Sequence, residues 1–174
     1  MNPKSMCVVG MGYVGLPLAV ALSDHYDVTG FDVSNRRIIS LKEGIDTNMI
    51  ISSESLSKSD IDFTDKADCL QRADMIIVTV PTPVNLDSSP DVKYLKKVSE
   101  TIGKQLALVG RNHLKCPIIL YESTTYPGCT EEVCKPIIEK YSHLKCGEGF
   151  RLGYSPERTN FGDSEHDLSS VVKV

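Results

Sequence analysis

What this 174-residue sequence lacks already narrows its class. No apolar run approaches the roughly 20 residues that a membrane-spanning helix needs, so no transmembrane segment is predicted. Positive charge is not in excess, because 19 lysines and arginines stand against 23 aspartates and glutamates, for a net charge of −4. Such a protein has no basic field for nucleic acid or an anionic membrane. No separate signal segment precedes the first apolar run, and we expect a cytoplasmic protein with neither of these partners.

The six cysteines also lack the pairing that marks a metal site or a disulfide framework. No two of them are spaced CxxC, the arrangement typical of structural zinc. Cys7 falls inside an apolar run that predicts a strand, where small apolar residues belong. In a reducing cytosol such residues stay free thiols, so we expect no metal and no disulfide.

The most informative motif that is present is the glycine-rich sequence GMGYVG at residues 10–15. It follows an apolar run and opens a helix-like segment, and Asp32 stands 20 residues after Gly12. Gly10 permits the tight turn, Gly12 lets the backbone approach a pyrophosphate, and Gly15 lets helix and strand pack closely. This is the dinucleotide-binding fingerprint in its required context of strand, turn, helix, strand and acid. We therefore expect a nucleotide cofactor with its phosphates at the helix N-terminus.

The rest of the chain alternates between short β-rich runs and helix-length segments, which predicts βαβ units. We predict one α/β domain over residues 1–174, with a Rossmann-like, doubly wound and mainly parallel sheet of about six strands. The polar segment 44–60 predicts an exposed loop or short helices. Ser34 and Gly110 are predicted to cap the second helix and end the third. The predicted strands are 6–9, 27–31, 61–64, 75–80, 117–122 and 150–154, and the predicted helices are 14–23, 35–43, 92–109 and 130–141.

The residues near Asp32 bear on the choice of cofactor. A carboxylate there accepts hydrogen bonds from ribose hydroxyls and repels a 2′-phosphate. Arg36 and Arg37 follow on the predicted helix, and an arginine near this position can hold the phosphate of NADP. Both could equally stack on adenine or face water. The carboxylate favours NAD over NADP.

Three polar segments follow predicted strands, at 80–83, 122–128 and 153–158. In open α/β sheets the ligand lies beyond the carboxyl ends of the strands, so these segments are candidates for the site. Each also has a structural interpretation: Ser123 or Thr124 could cap the following helix, and Glu157 could be a solvated surface acid. Their shared position at one cofactor-binding edge supports a functional role, and both interpretations stay open.

Four motifs in order resemble the N-terminal domain of the UDP-glucose/GDP-mannose dehydrogenases: GMGYVGLPLA, VPTP, ESTTYPGCTEE and GYSPERTNFGD. The resemblance runs from about Met6 to the last residue. ESTTYPG together with SPER is most similar to the UDP-N-acetylhexosamine 6-dehydrogenases, bacterial enzymes that make uronic acids for surface polysaccharides. The resemblance implies a four-electron oxidation of the C6 alcohol of a UDP-sugar to a carboxylate, with NAD as cofactor.

The resemblance also assigns roles to residues. Thr124 would help to hold a catalytic water. Glu157 would act as general base or position that water in hydrolysis of the thioester that the family forms on its nucleophilic cysteine. A second set would border the UDP-sugar: Arg158, Thr159, Asn160 and Phe161. The cofactor-binding set is Gly10, Gly12, Tyr13, Val14, Gly15, Asp32, Arg37, Val80, Pro81, Thr82, Pro83, Ser123 and Thr124.

Several parts of the family's machinery have no counterpart in these 174 residues: its nucleophilic cysteine, its central helix and its second, UDP-binding domain. The chain is therefore expected to bind NAD without turnover, and the full-length protein to be a homodimer. A non-catalytic NAD-binding sensor or interaction module is the alternative, and another Rossmann oxidoreductase is a third. Thr124 and Glu157 argue against the sensor, which has no need for a water-activating pair.

Overall fold

A parallel sheet of six strands organises the chain in the computed structural model, which describes residues 3–85, 87–109 and 116–156. The strands are β1 Ser5–Val9, β2 Asp27–Phe31, β3 Ile61–Thr64, β4 Met75–Val78, β5 Ile118–Tyr121 and β6 Arg151–Tyr154. Their order across the sheet is β3-β2-β1-β4-β5-β6, and every pair is parallel. This is the strand order of the dinucleotide-binding sheet, and it confirms the predicted Rossmann-like fold.

The helices cover the sheet in two groups, each with its own part of the core. They are α1 Gly15–Ser23, α2 Asn35–Lys42, α3 Ser53–Lys58, the 3₁₀ helix Ala67–Gln71, α4 Lys93–Val109 and α5 Lys135–Ser142, with a π-helical turn at Thr130–Cys134. One part of the core joins the sheet to α1, α2 and α3, and the other joins it to the 3₁₀ helix, α4 and α5. Along β1 the side chains alternate between the two parts, as the two-residue period of a strand requires.

Most predicted elements are present, with differences at the ends. The predicted strand 75–80 stops at Val78, and the predicted helix 130–141 divides into the π-helical turn and α5. The polar segment 44–60 contains the short helix α3, as one of its two interpretations allowed. Ser34 caps α2 by accepting the Arg37 N–H at 3.3 Å, and Gly110 lies outside the described residues. None of the helices in the described ranges has the length and apolar character to span a membrane.

Candidate functional site

The glycine turn after β1 has the shape that a bound pyrophosphate needs. Gly10 has a φ of +99°, where a side chain would be strained, and a Cβ on Gly15 would lie 1.9 Å from the Gly10 carbonyl oxygen. A Cβ on Gly12 would have no described atom within 4 Å, so this backbone faces open space. Helix α1 starts there without a side-chain cap. The first N–H groups of a helix attract phosphate, so the turn fits a dinucleotide.

Thr79 supports this turn from the end of β4, and the sequence analysis did not single it out. Its Oγ1 lies 3.0 Å from the Val9 carbonyl oxygen and 2.9 Å from that of Gly10. It is also the atom that a Cβ on Gly15 would meet at 2.4 Å. A polar residue directly after a buried apolar strand was the signal that could have identified Thr79.

Asp32 reaches the same turn from the end of β2. Its Oδ2 accepts the N–H of Met11 at 2.8 Å, and its Oδ1 accepts the N–H of Ser34 at 2.8 Å. A carboxylate oxygen has two lone pairs, so each oxygen can still accept a ribose hydroxyl. The role predicted for Asp32 toward the ribose stays a prediction.

Arg37 also reaches the glycine turn, but from its buried side. Its Nε donates to the carbonyl oxygen of Met11 at 2.8 Å, and its Nη1 donates to Thr47 Oγ1 at 2.9 Å. Its Nη2 lies 2.7 Å from Asp46 Oδ1. The guanidinium is only 9% exposed, whereas Arg36 is exposed to solvent. Contact between Arg37 and the adenosine ribose stays a prediction.

The loops after β4 and β5 are bonded to each other at this edge. Ser123 is buried and donates its hydroxyl to the Val80 carbonyl oxygen at 2.8 Å. Thr82 donates its hydroxyl to the Thr124 carbonyl oxygen. The Thr124 residue itself is exposed, as are Pro81 and Pro83 in the facing loop. The structure therefore brings together the predicted residues of both loops and leaves Thr124 open to a ligand.

Comparison with known proteins identifies the family. The sequence model of the UDP-glucose/GDP-mannose dehydrogenase family, NAD binding domain, matches residues 4–174. The chain belongs to this family. NAD as cofactor, expected from Asp32 and the motifs, is thereby confirmed.

The relatives of this NAD-binding domain are longer proteins. The UDP-N-acetyl-D-glucosamine 6-dehydrogenase of Pseudomonas aeruginosa is 46% identical over 175 residues, which cover all of this chain and 40% of that protein. The enzyme of the same name from Salmonella typhi is 42% identical over the same shares of the two chains. The chain thus spans about two fifths of the length of the curated relatives it matches.

A solved structure of the same family supports the fold. A ternary complex of GDP-mannose dehydrogenase from Pseudomonas aeruginosa superposes with a TM-score of 0.79 at 26% identity, covering 89% of this chain and 36% of that one. The fold assignment therefore rests on the family sequence model and on a solved structure.

Two polar residues of this dehydrogenase domain, Glu122 and Thr125, lie in the candidate segment 122–128 but had no individual role predicted from the sequence. Glu122 is buried at 4% exposure, and its Oε1 accepts the Ser155 hydroxyl at 3.3 Å. Ser155 also donates its N–H to the Tyr121 carbonyl oxygen at 2.9 Å, so the ends of β5 and β6 are tied together. Thr125 Oγ1 is buried without a hydrogen-bond partner in the described part of the chain. The remaining predicted site residues, Glu157, Arg158, Thr159, Asn160 and Phe161, lie outside the described residues.

Proposed function

We propose that this chain is the NAD-binding part of a UDP-N-acetylhexosamine 6-dehydrogenase, which oxidises the C6 alcohol of the sugar to a carboxylate. The observation that carries the proposal is the identity of 46% and 42%, over the whole chain, to two UDP-N-acetyl-D-glucosamine 6-dehydrogenases. The geometry of the sheet edge supports it, because Thr79 bonds the end of β4 to the glycine turn and the loops after β4 and β5 are bonded to each other.

The cofactor half of the reaction is assigned to residues that the structure brings together. Bound NAD⁺ supplies a hydride acceptor for the C6 carbon. The turn at Gly12, with Tyr13, Val14 and the start of α1, would hold the pyrophosphate, and Asp32 would hold the adenosine ribose. The loops at 80–83 and 123–124 would orient the nicotinamide, since their mutual hydrogen bonds fix their separation.

The hydrolytic half is assigned to Thr124 and Glu157. Thr124 is exposed in a loop that Thr82 anchors through the Thr124 carbonyl oxygen, and its hydroxyl would orient a water there. Glu157 would act as the general base on that water or position it. Glu157 comes two residues after Ser155, whose bond to buried Glu122 fixes the start of its segment. The segment 158–161 would border the UDP-sugar.

The same proposal covers the setting of the whole protein. Its UDP-sugar substrate would be bound jointly with regions beyond this chain, which contain the nucleophilic cysteine in the resembling family. The 174 residues would then bind NAD without turnover. The full-length protein would act as a homodimer in the cytoplasm, making a uronic acid for surface polysaccharide.

Calorimetric titration of the chain with NAD⁺ and with NADP⁺ tests the cofactor assignment, and absorbance of NADH after addition of UDP-N-acetyl-D-glucosamine tests completeness. We expect NAD⁺ to bind with clear preference over NADP⁺, and no sustained NADH production. Gly15→Val is the matched loss-of-site variant, because its side chain would collide with Gly10 and Thr79. Failure of NAD⁺ to bind the folded wild-type chain would refute the cofactor role, and steady NADH production would refute the incompleteness.

A further inference from the structure

The backbone of Met11, between the first two glycines of the turn, is held on both sides by charged side chains. Its N–H donates to Asp32 Oδ2 and its carbonyl oxygen accepts from Arg37 Nε, both at 2.8 Å. The Met11 side chain is 1% exposed, so the residue cannot turn outward without losing core contacts. The orientation of the Gly10–Gly12 backbone therefore depends on where Arg37 is held.

Arg37 is held in turn by Asp46. The Arg37 guanidinium contacts a different acceptor with each of its three nitrogens: Met11, Thr47 and Asp46. The Asp46 carboxylate is the charged one, its side chain is fully buried, and its Oδ1 lies 2.7 Å from Arg37 Nη2. A planar guanidinium with three fixed acceptors has one orientation, which a lysine ammonium could not reproduce.

Asp46 is itself fixed by the backbone of its own loop. Its Oδ1 accepts the N–H of Asn48 at 3.0 Å, and its Oδ2 accepts those of Ile50 at 2.8 Å and Ile51 at 2.9 Å. A continuous series of bonds thus runs from the 46–51 loop through two buried charges to the glycine turn. The proposed function makes no use of this loop.

We propose that Asp46 is a positioning residue for the cofactor site, acting through Arg37 on the Met11 carbonyl and so on the turn that receives the pyrophosphate. The inference rests on the proposed NAD binding. Removing one partner of a buried ion pair leaves the other charge uncompensated. Without Asp46, the Arg37 guanidinium would move toward other acceptors or water, and the Met11 peptide would lose its fixed orientation.

Calorimetric NAD⁺ titration of Asp46→Asn tests the proposal against Asp74→Asn. Asp74 is a matched control because it also accepts backbone N–H groups, from Lys4 and Ser5, at the opposite edge of the sheet. We expect Asp46→Asn to weaken NAD⁺ binding about tenfold and Asp74→Asn to change it less than twofold. Equal affinity of Asp46→Asn and the wild-type chain would overturn the proposal.

A double-substitution test separates action through Arg37 from general destabilisation. In an Arg37→Met background, Asp46→Asn should weaken NAD⁺ binding no further, because the connection to Met11 is already broken. If the two losses multiply, Asp46 acts by another route and the proposal fails. Should Asp46→Asn not fold, Thr47→Val is the alternative, because it removes an exposed, uncharged acceptor of Arg37. Since this is about one third of the contacts that hold the guanidinium, we expect NAD⁺ affinity to fall two- to threefold.

Amide chemical shifts of the cofactor-free chain provide a readout that does not depend on NAD⁺. The Met11 and Gly12 resonances should shift in Asp46→Asn and stay in place in Asp74→Asn. Unchanged Met11 and Gly12 shifts in Asp46→Asn would refute the link. If the wild-type chain did not bind NAD⁺ but the Met11 and Gly12 resonances changed as expected, the proposed function would be refuted. The positioning of the turn by Asp46 would still be supported.

Discussion

At the scale of single residues, the Asp32 carboxylate links the protein to its proposed cofactor. Both of its oxygens already accept backbone N–H groups, from Met11 and Ser34. Each oxygen keeps a lone pair that can accept a ribose hydroxyl, as the motif predicts. The residue therefore has a structural role in the turn, and its role in selecting NAD stays a prediction.

Replacing Asp32 should change both affinity and selectivity. Asp32→Ala removes the acceptor for the ribose hydroxyls and the charge that repels a 2′-phosphate, so NAD⁺ should bind about tenfold more weakly and the preference over NADP⁺ should narrow. Calorimetric titration with each cofactor measures this. Asp27→Ala, at the exposed amino end of the same strand, is the control and should leave both affinities unchanged. An unchanged cofactor preference in Asp32→Ala would assign the selectivity to Arg36 or another loop.

At the scale of elements, local patterns predicted most of what the structure shows. The bounds of β2 and β3 are as predicted, because each is a short segment of strand-forming residues bounded by polar turn residues. β4 ends earlier than predicted because its neighbour β1 ends at Val9, where Gly10 turns the chain away. The 3₁₀ helix and the π-helical turn were missed, since neither has a hydrophobic period of its own.

For the residues of the site too, local sequence patterns predicted some features, and only the folded structure shows the others. The glycine turn and Asp32 belong to one local motif, so their spacing was sufficient to predict them. The partnership of Arg37 with Asp46 joins α2 to an irregular loop, and only the folded structure shows that this carboxylate is fully buried. Thr79 was missed, and Glu122 was given no role of its own within segment 122–128, because sequence patterns do not fix the end of a strand to the residue.

The packing of α4 on α5 depends on the absence of a side chain at Gly103. A Cβ there would lie 2.8 Å from Tyr141 Cβ and 3.0 Å from the Ile138 carbonyl oxygen. Alanine favours a helix over glycine by about 1 kcal/mol, but the collision should force the helices apart and give a net loss of about 1–3 kcal/mol in the free energy of unfolding. Urea denaturation measures the change. Thr101→Ala, on the same helix, is the control and should cost little, and a Gly103→Ala chain as stable as wild type would contradict the packing argument.

At the scale of the whole molecule, the two edges of the sheet have different roles. The carboxyl edge gathers the glycine turn, Asp32 and the loops after β4 and β5, which the proposed function uses. At the amino edge, the backbone N–H groups of Lys4 and Ser5 donate hydrogen bonds to the Asp74 carboxylate. Substitutions at the two edges should therefore separate effects on cofactor binding from effects on stability alone.

The dependence of global stability on pH should identify Asp46 as a buried anion. Burial alone would raise the pKa of the Asp46 carboxyl, but the bonds from Ile51, Ile50, Arg37 and Asn48 outweigh it and hold this pKa below its usual range. The stabilisation is therefore complete above the unfolded carboxyl pKa of about 3.9 and is lost as the pH falls through the lower folded value.

The lowered pKa of Asp46 predicts how the stability of Asp46→Asn differs from that of the wild-type chain at each pH. At pH 7 the variant should be less stable by roughly 3 kcal/mol, because Arg37 loses its buried counter-charge. Below about pH 4 the difference should shrink, since the unfolded wild-type chain then takes up a proton at this carboxyl that the folded chain still excludes, while asparagine has nothing to titrate. Urea denaturation at pH 7 and near pH 3 measures the difference in the free energy of unfolding between the variant and the wild-type chain. Asp24→Asn, an exposed substitution with the same charge change, corrects for net charge. If this difference in the free energy of unfolding were the same at the two pH values, Asp46 would not stabilise the fold as a charged partner of Arg37.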